Sequence, residues 1–156
     1  MINVYTDTSV IGGCFDKEFK AHSLALWDEF KNGTKRLILS DLVRMELDGA
    51  NKEVKSILKE VPAIFKIDIK TTVKASALAK IYIAEGALSN KCYNDALHIA
   101  LATLHNADIL ASWNFKHIVN LDRIKLYNSI NLRMGYRLIE IRTPREILKP
   151  NDHEKK

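Results

Sequence analysis

Short apolar runs alternate along this chain with longer stretches whose apolar residues recur every three or four positions. Residues 2–6 form a β-prone run that ends at Asp7, followed by the turn-like pair Gly12-Gly13. Leu24, Trp27 and Phe30 recur at helical spacing, which predicts a helix over residues 16–31 stopped by Asn32-Gly33. Leu37-Ile38-Leu39 reads as a strand buried on both faces. Ser40-Asp41 can cap a following helix that carries Val43, Glu46 and Leu47. Asn51 opens another, with Val54, Ile57, Leu58 and Val61, which Pro62 stops. Residues 63–69 read as strand or irregular chain. Residues 71–85 predict a helix whose inner stripe is Val73, Ala77, Leu78 and Ile81. Residues 91–105 predict a central helix, apolar over most of its surface. A strand over 107–111, a helix over 122–134 and a strand over 136–142 follow. Thr143-Pro144-Arg145-Glu146 then fits a capping box with proline at the first helical position.

The order of strands and helices predicts an α/β fold, with a central, mostly parallel sheet flanked by helices on both faces. Residues 1–148 read as one domain, and residues 149–156 as a polar tail that frays. Of the 156 residues, 47% are hydrophobic, enough for a packed core and too many for a disordered chain. No apolar run approaches the ~20 residues that span a bilayer, and the N-terminus lacks the basic-then-apolar order of a secretory signal. A cytoplasmic protein with no membrane partner is therefore expected. The net charge of +5 is compatible with a polyanionic partner. Basic residues gather between Lys116 and Arg137, where five of them face the single acid Asp122. Cys14 and Cys92 form no paired motif and the five histidines no His-x-x-x-His pair, so a structural zinc site is not expected.

In an open parallel sheet, ligands bind beyond the carboxyl ends of the strands. That rule selects Asp7 after the first strand, Glu46 on the helix after the second, and Asp95 in the first turn of the central helix. It also selects Ser112, Trp113 and Asn114 after the fourth strand. Singly, each acid has an ordinary reading: Asp7 and Asp95 as helix caps, Glu46 as a surface residue. Jointly they form a hard-oxygen site suited to Mg²⁺ or Mn²⁺, whose usual chemistry is phosphoryl transfer.

Four segments carry a family resemblance. Val4-Tyr5-Thr6-Asp7-Thr8-Ser9 resembles the opening strand of PIN-domain nucleases. Leu42-Val43-Arg44-Met45-Glu46-Leu47 resembles their second motif, Tyr93-Asn94-Asp95-Ala96-Leu97-His98 the third, and the run from Ala107 through Ser112-Trp113-Asn114-Phe115 the fourth. The motifs stand in the family's order and span residues 4 to 115 of 156. The chain is thus similar to VapC-type toxins of toxin–antitoxin modules. That resemblance implies that Asp7, Glu46 and Asp95 hold Mg²⁺ or Mn²⁺, that Ser9 supports Asp7, and that Ser112 holds water or a carboxylate. It also implies RNA as substrate, a small antitoxin protein as partner, and a homodimer. One departure stands out: the usual fourth acid is replaced by Asn114, a neutral group able to orient water but poorer at holding a second ion.

Arg44, Lys91 and Lys116 flank the acids, where they can contact phosphates, and His117 lies on the same loop as Asn114. Trp113 can stack on an unpaired base or pack in the core. His98, one turn after Asp95, can pair with that carboxylate or sit as a partly buried helix residue. Asp108 and Asp41 read as structural, Asp48 as a surface residue. Two other classes compete with the nuclease: a PIN-fold RNA- or protein-binding module weakened in catalysis by Asn114, and a haloacid-dehalogenase-like phosphatase. The second requires an aspartate where Ser9 stands.

Overall fold

A computed structural model describes residues 1–149. Five strands, β1 (Ile2–Thr6), β2 (Lys35–Ser40), β3 (Lys66–Ile69), β4 (Ile109–Ala111) and β5 (Ile141–Arg142), form one sheet in the order β3-β2-β1-β4-β5. Every pairing is parallel. The chain leaves β1 toward β2 on one side and later returns to β4 on the other. The carboxyl end of β1 beside β4 is therefore the point where the winding direction reverses, the usual ligand crevice of such sheets.

Alternation along β1 and β2 assigns side chains to two cores. Tyr5, Ile38, Leu110 and Ile141 face α5 (Val73–Ala84), α6 (Tyr93–Leu104) and α7 (Leu121–Arg133). Val4, Leu37, Leu39 and Ala111 face α1 (Thr8–Gly13), α2 (Lys20–Lys31) and the segment of α4 (Lys52–Ser56) with its following 3₁₀ turn Ile57–Glu60. Trp27 is fully packed in the second core, and its indole Nε1 donates to the Ile57 carbonyl at 2.9 Å. Residues 96–103 of α6 are all buried. Ala96, Ala100 and Ala102 on this helix, with Ala75 and Ala79 on α5, let the two helices pack closely over the sheet.

The parallel sheet, the helical layers and the capping box at Thr143 match the sequence expectations. Four local features differ. The Gly12-Gly13 pair ends a helix, α1, because Asp7 caps it by accepting from Ser9 N. The buried face of α5 is Ala75, Leu78, Ala79 and Tyr82, while Val73 is 89% exposed. Thr72 caps α5, so Val73 falls in its open first turn, and packing on α6 selects the small residues. The expected strand over 136–142 pairs only at Ile141–Arg142. Before it, the Asn128 side chain takes both backbone groups of Ile139, accepting its N–H at 2.7 Å and donating to its carbonyl at 3.1 Å. The expected helix from Asn51 to Pro62 breaks after Ser56 into the 3₁₀ turn. Among the described residues no helix is long and apolar enough to cross a membrane. The tail beyond residue 149 lies outside the described residues.

Candidate functional site

Thr6 of β1 pairs with Ala111 of β4, so Asp7 and Ser112 emerge side by side at the switch point. Asp7 is 3% exposed. Its Oδ1 accepts from Ser9 N at 3.1 Å and Ser9 Oγ at 2.6 Å, and its Oδ2 accepts from Ser112 Oγ at 2.6 Å. Ser9 Oγ also accepts Trp113 N at 2.9 Å, and Ser112 Oγ accepts Asn114 N at 2.9 Å. The two serines thus lock the carboxylate to both the α1 turn and the loop after β4.

Glu46 closes α3 (Asp41–Glu46), a helix capped by Ser40 at the end of β2. Its side chain is 28% exposed. Oε1 accepts from Thr8 Oγ1 at 2.7 Å and meets His98 Nε2 at 2.6 Å. His98 Nδ1 lies 2.6 Å from the Tyr5 hydroxyl, which in turn sits 2.9 Å from Ser40 Oγ. His98 is therefore a buried core residue that serves Glu46 rather than Asp95, contrary to the pairing considered from sequence. The reason is geometric: α6 lies across the sheet, so a residue one turn in reaches over Tyr5 toward α3.

Asp95 is half-buried in the first turn of α6. The neighbouring His117 and His98, and then the Asn114 side chain, favour its ionised form. Asn114 Oδ1 accepts His117 N at 2.9 Å, which fixes the turn of the loop. Asn114 thereby positions His117.

Electrostatics divide the acids. Burial pushes Asp7 above the ordinary carboxylate range, against the opposing effects of His98, Ser112 and Ser9. Burial likewise raises Asp95, and nearby Glu46 adds to the rise. Burial would raise Glu46 too, but bonding to His98 and Thr8, with Asn94 close by, outweighs it and holds Glu46 low. Among the described residues neither Asp7 nor Asp95 takes part in an ion pair. Partly or fully desolvated carboxylates outside any ion pair are costly in their charged form, and a cation would offset that cost. The oxygen-rich donor set suits a hard divalent ion.

The remaining expected residues divide. Trp113 is 9% exposed, its ring stacked on Phe19 at 4.4 Å between centroids, and its Nε1 donates to Ser23 Oγ at 2.8 Å. A ring so placed packs in the second core, with Phe19 on one of its faces. Arg44 is exposed and pairs with Asp68 at 2.7 Å. Lys91 and Lys116 are exposed beside the crevice, and His117 is half-buried. Asp108 is structural, accepting Asn3 N at 2.7 Å, and Asp41 ties α3 to Thr71. Sequence reasoning missed Tyr5, Thr8 and Cys92. Cys92 had a legible signal: it stands one helical turn before Asp95, on the same face.

No protein-family model and no curated relative matches the chain. Solved structures do. FitAcB from Neisseria gonorrhoeae aligns over 92% of this chain and 99% of its own, at 15% identity and a TM-score of 0.59. VapBC2 from Rickettsia felis, solved bound to a DNA fragment from its promoter, aligns over 91% and 98%, at 14% identity and a TM-score of 0.53. VapC20 of Mycobacterium tuberculosis, described as a sarcin–ricin loop cleaving toxin, aligns over 73% and 92%, at 13% identity and a TM-score of 0.53. The chain therefore has the PIN-like α/β fold of the VapC-type toxins, as its four motifs imply.

Proposed function

We propose that this chain is a metal-dependent endoribonuclease and the toxin half of a toxin–antitoxin pair. The observation that carries the reading is that Asp7, at the switch point of the sheet, and Asp95, in the first turn of α6, are both raised by burial and, among the described residues, take part in no ion pair. Asp7, Glu46 and Asp95 would hold Mg²⁺ or Mn²⁺. The bound ion supplies charge neutralisation at the phosphate and a more acidic water. Ser9 and Ser112 fix the Asp7 carboxylate, and His98 and Thr8 fix Glu46. Lys91, Lys116, His117 and Arg44 would contact the RNA backbone, steadying it without reading its sequence. The structural likeness to toxin–antitoxin complexes supports a small antitoxin protein as partner, and a homodimer is part of the same proposal.

One observation favours a second reading, a PIN-fold binding module with weakened catalysis. The fourth acidic position is neutral and its carbonyl oxygen accepts from His117 N. Cleavage of labelled, mixed-sequence single-stranded RNA with Mg²⁺, with Mn²⁺ and with EDTA separates the two. Metal-dependent cleavage that an Asp7→Asn/Asp95→Asn variant lacks supports the nuclease. Equal inertness of both proteins, with RNA binding retained, supports the binding module.

A further inference from the structure

We infer that Cys92, Asp95 and His117 form a second cation site, selective for a thiophilic divalent ion of the Zn²⁺ type. Among the described residues they are the one His/Cys/Asp/Glu trio whose donor atoms all lie within 4.8 Å of one another. Cys92 Sγ lies 3.4 Å from His117 Nε2. Zinc bond lengths to sulfur and nitrogen set the edge of a tetrahedron at about 3.5 Å, so the pair already stands at coordination spacing.

Two elements build the trio. Cys92 caps α6 and Asp95 follows one turn later, which puts thiol and carboxylate on one helix face. His117 comes from the loop after β4. That loop is fixed by Asn114 Oδ1, which accepts His117 N, and by Tyr127, whose hydroxyl donates to the His117 carbonyl at 2.5 Å. The opposite ring nitrogen of His117, Nδ1, is buried without a partner. Coordination through Nε2 uses the neutral imidazole with its hydrogen on Nδ1, and among the described residues no protein group competes for that nitrogen. The other cysteine is no competitor: Cys14 is buried in the second core, and burial pushes its thiol up to about 12.

Binding replaces the S–H bond of Cys92 with a metal–sulfur bond, and the proton passes to solvent. A set of one sulfur, one nitrogen and one oxygen, with a fourth position for water, suits Zn²⁺ and is a poor match for Mg²⁺. Asp95 is common to this trio and to the acids of the proposed nuclease site. Occupancy by Zn²⁺ withdraws it from the hard ion, so the site is inhibitory. That last consequence rests on the nuclease reading, whereas the binding itself does not.

Titration of the full-length protein with Co²⁺, followed by absorption, tests the site. The expected result is one bound ion with a thiolate-to-cobalt charge-transfer band in the near ultraviolet. Zn²⁺ should displace the ion and abolish the band, and Mg²⁺ in large excess should not. Cys92→Ser should abolish the band, and His117→Gln should weaken Zn²⁺ by at least about tenfold. Asp7→Asn should leave the band intact while removing any RNA cleavage. Circular dichroism checks that each variant folds. Co²⁺ bound without the thiolate band, or a band that survives Cys92→Ser, overturns the site. An intact band with no RNA cleavage by the wild type under any metal keeps the site and overturns the nuclease reading instead. Micromolar Zn²⁺ should suppress cleavage by the wild type in Mg²⁺, and Cys92→Ser should relieve it.

Discussion

His98 Nε2 and Glu46 Oε1 lie 2.6 Å apart, joining the central helix α6 to the end of α3 across the carboxyl edge of the sheet. With Glu46 ionised, the hydrogen of that bond resides on Nε2. Nδ1 then meets the Tyr5 hydroxyl, which burial holds in its protonated form. The chain Ser40–Tyr5–His98–Glu46 thus fixes an acid on a short surface helix by anchoring it in the core.

His98→Ala is expected to lower activity or metal affinity by about 10–100-fold, the usual cost of losing a partner that orients a ligand. Tyr5→Phe should have a smaller effect in the same direction, since it leaves His98 Nδ1 without its partner. Metal titration by calorimetry, beside RNA cleavage, measures both. A His98→Ala protein with unchanged metal affinity and unchanged cleavage would remove the histidine from the site.

Stability without metal should fall as pH rises through and above the carboxylate range. Asp7 and Asp95 titrate above their ordinary values in the folded state, so the folded chain binds more protons there than the unfolded chain. Folding is then favoured below the ordinary carboxylate pKa, and that advantage is lost as pH climbs through the raised values. Asp7→Asn removes the buried charge. Its melting temperature should exceed that of the wild type by a few degrees near neutral pH, and the gap should close near pH 4. Added Mg²⁺ should raise the wild type and leave the variant unmoved. Thermal melts in EDTA and in Mg²⁺ at several pH values provide the check.

Asn114→Asp keeps an oxygen for the His117 N–H but places a second negative charge beside Asp95. It should raise Asp95 further, lower the melting temperature in EDTA, and increase the number of hard ions bound. Isothermal titration with Mn²⁺ would read that number directly. An unchanged stoichiometry would mean that the asparagine is neutral with respect to the metal.

Gly13→Ala tests the seating of Trp113. A Cβ at this position would meet Ser23 Oγ at 2.5 Å and Trp113 Nε1 at 2.8 Å, the two ends of the indole hydrogen bond. Overpacking of this kind costs about 1–3 kcal/mol. Because Trp113 N also bonds Ser9 Oγ, the displacement should reach Asp7 and reduce cleavage more than the stability loss alone explains. Urea unfolding beside activity at low temperature separates the two effects.

The sheet was legible in the sequence because its strands obey strong patterns: Leu37-Ile38-Leu39 is apolar throughout, as a strand covered on both faces must be. The placement of Asp7 was legible because it directly follows β1, where parallel strands deliver residues to one edge, whereas Glu46 and Asp95 stand on helices and the described residues do not bring the three acids within 4.8 Å of one another. The partners of those acids were not legible. His98 lies in sequence beside Asp95 and in space beside Glu46, and only the crossing of α6 over β1 and β2 decides between them. Trp113 sits between two proposed site residues, and packing against Phe19 alone turns its ring inward. The strand predicted over 136–142 failed for a similar reason. The alternation of Ile139 and Ile141 is real burial, but β4 is only three residues long, so the ladder is confined to its length.

The Asn128 side-chain amide has a consequence for how copies of this chain can meet. Sheets commonly grow by adding a strand to an open edge, where free N–H and carbonyl groups wait in a row. Here β5 offers two residues, and the residue at which it would be extended has both of its backbone groups already occupied by Asn128. So short a template makes this margin of the sheet a poor seed for β-type fibre growth.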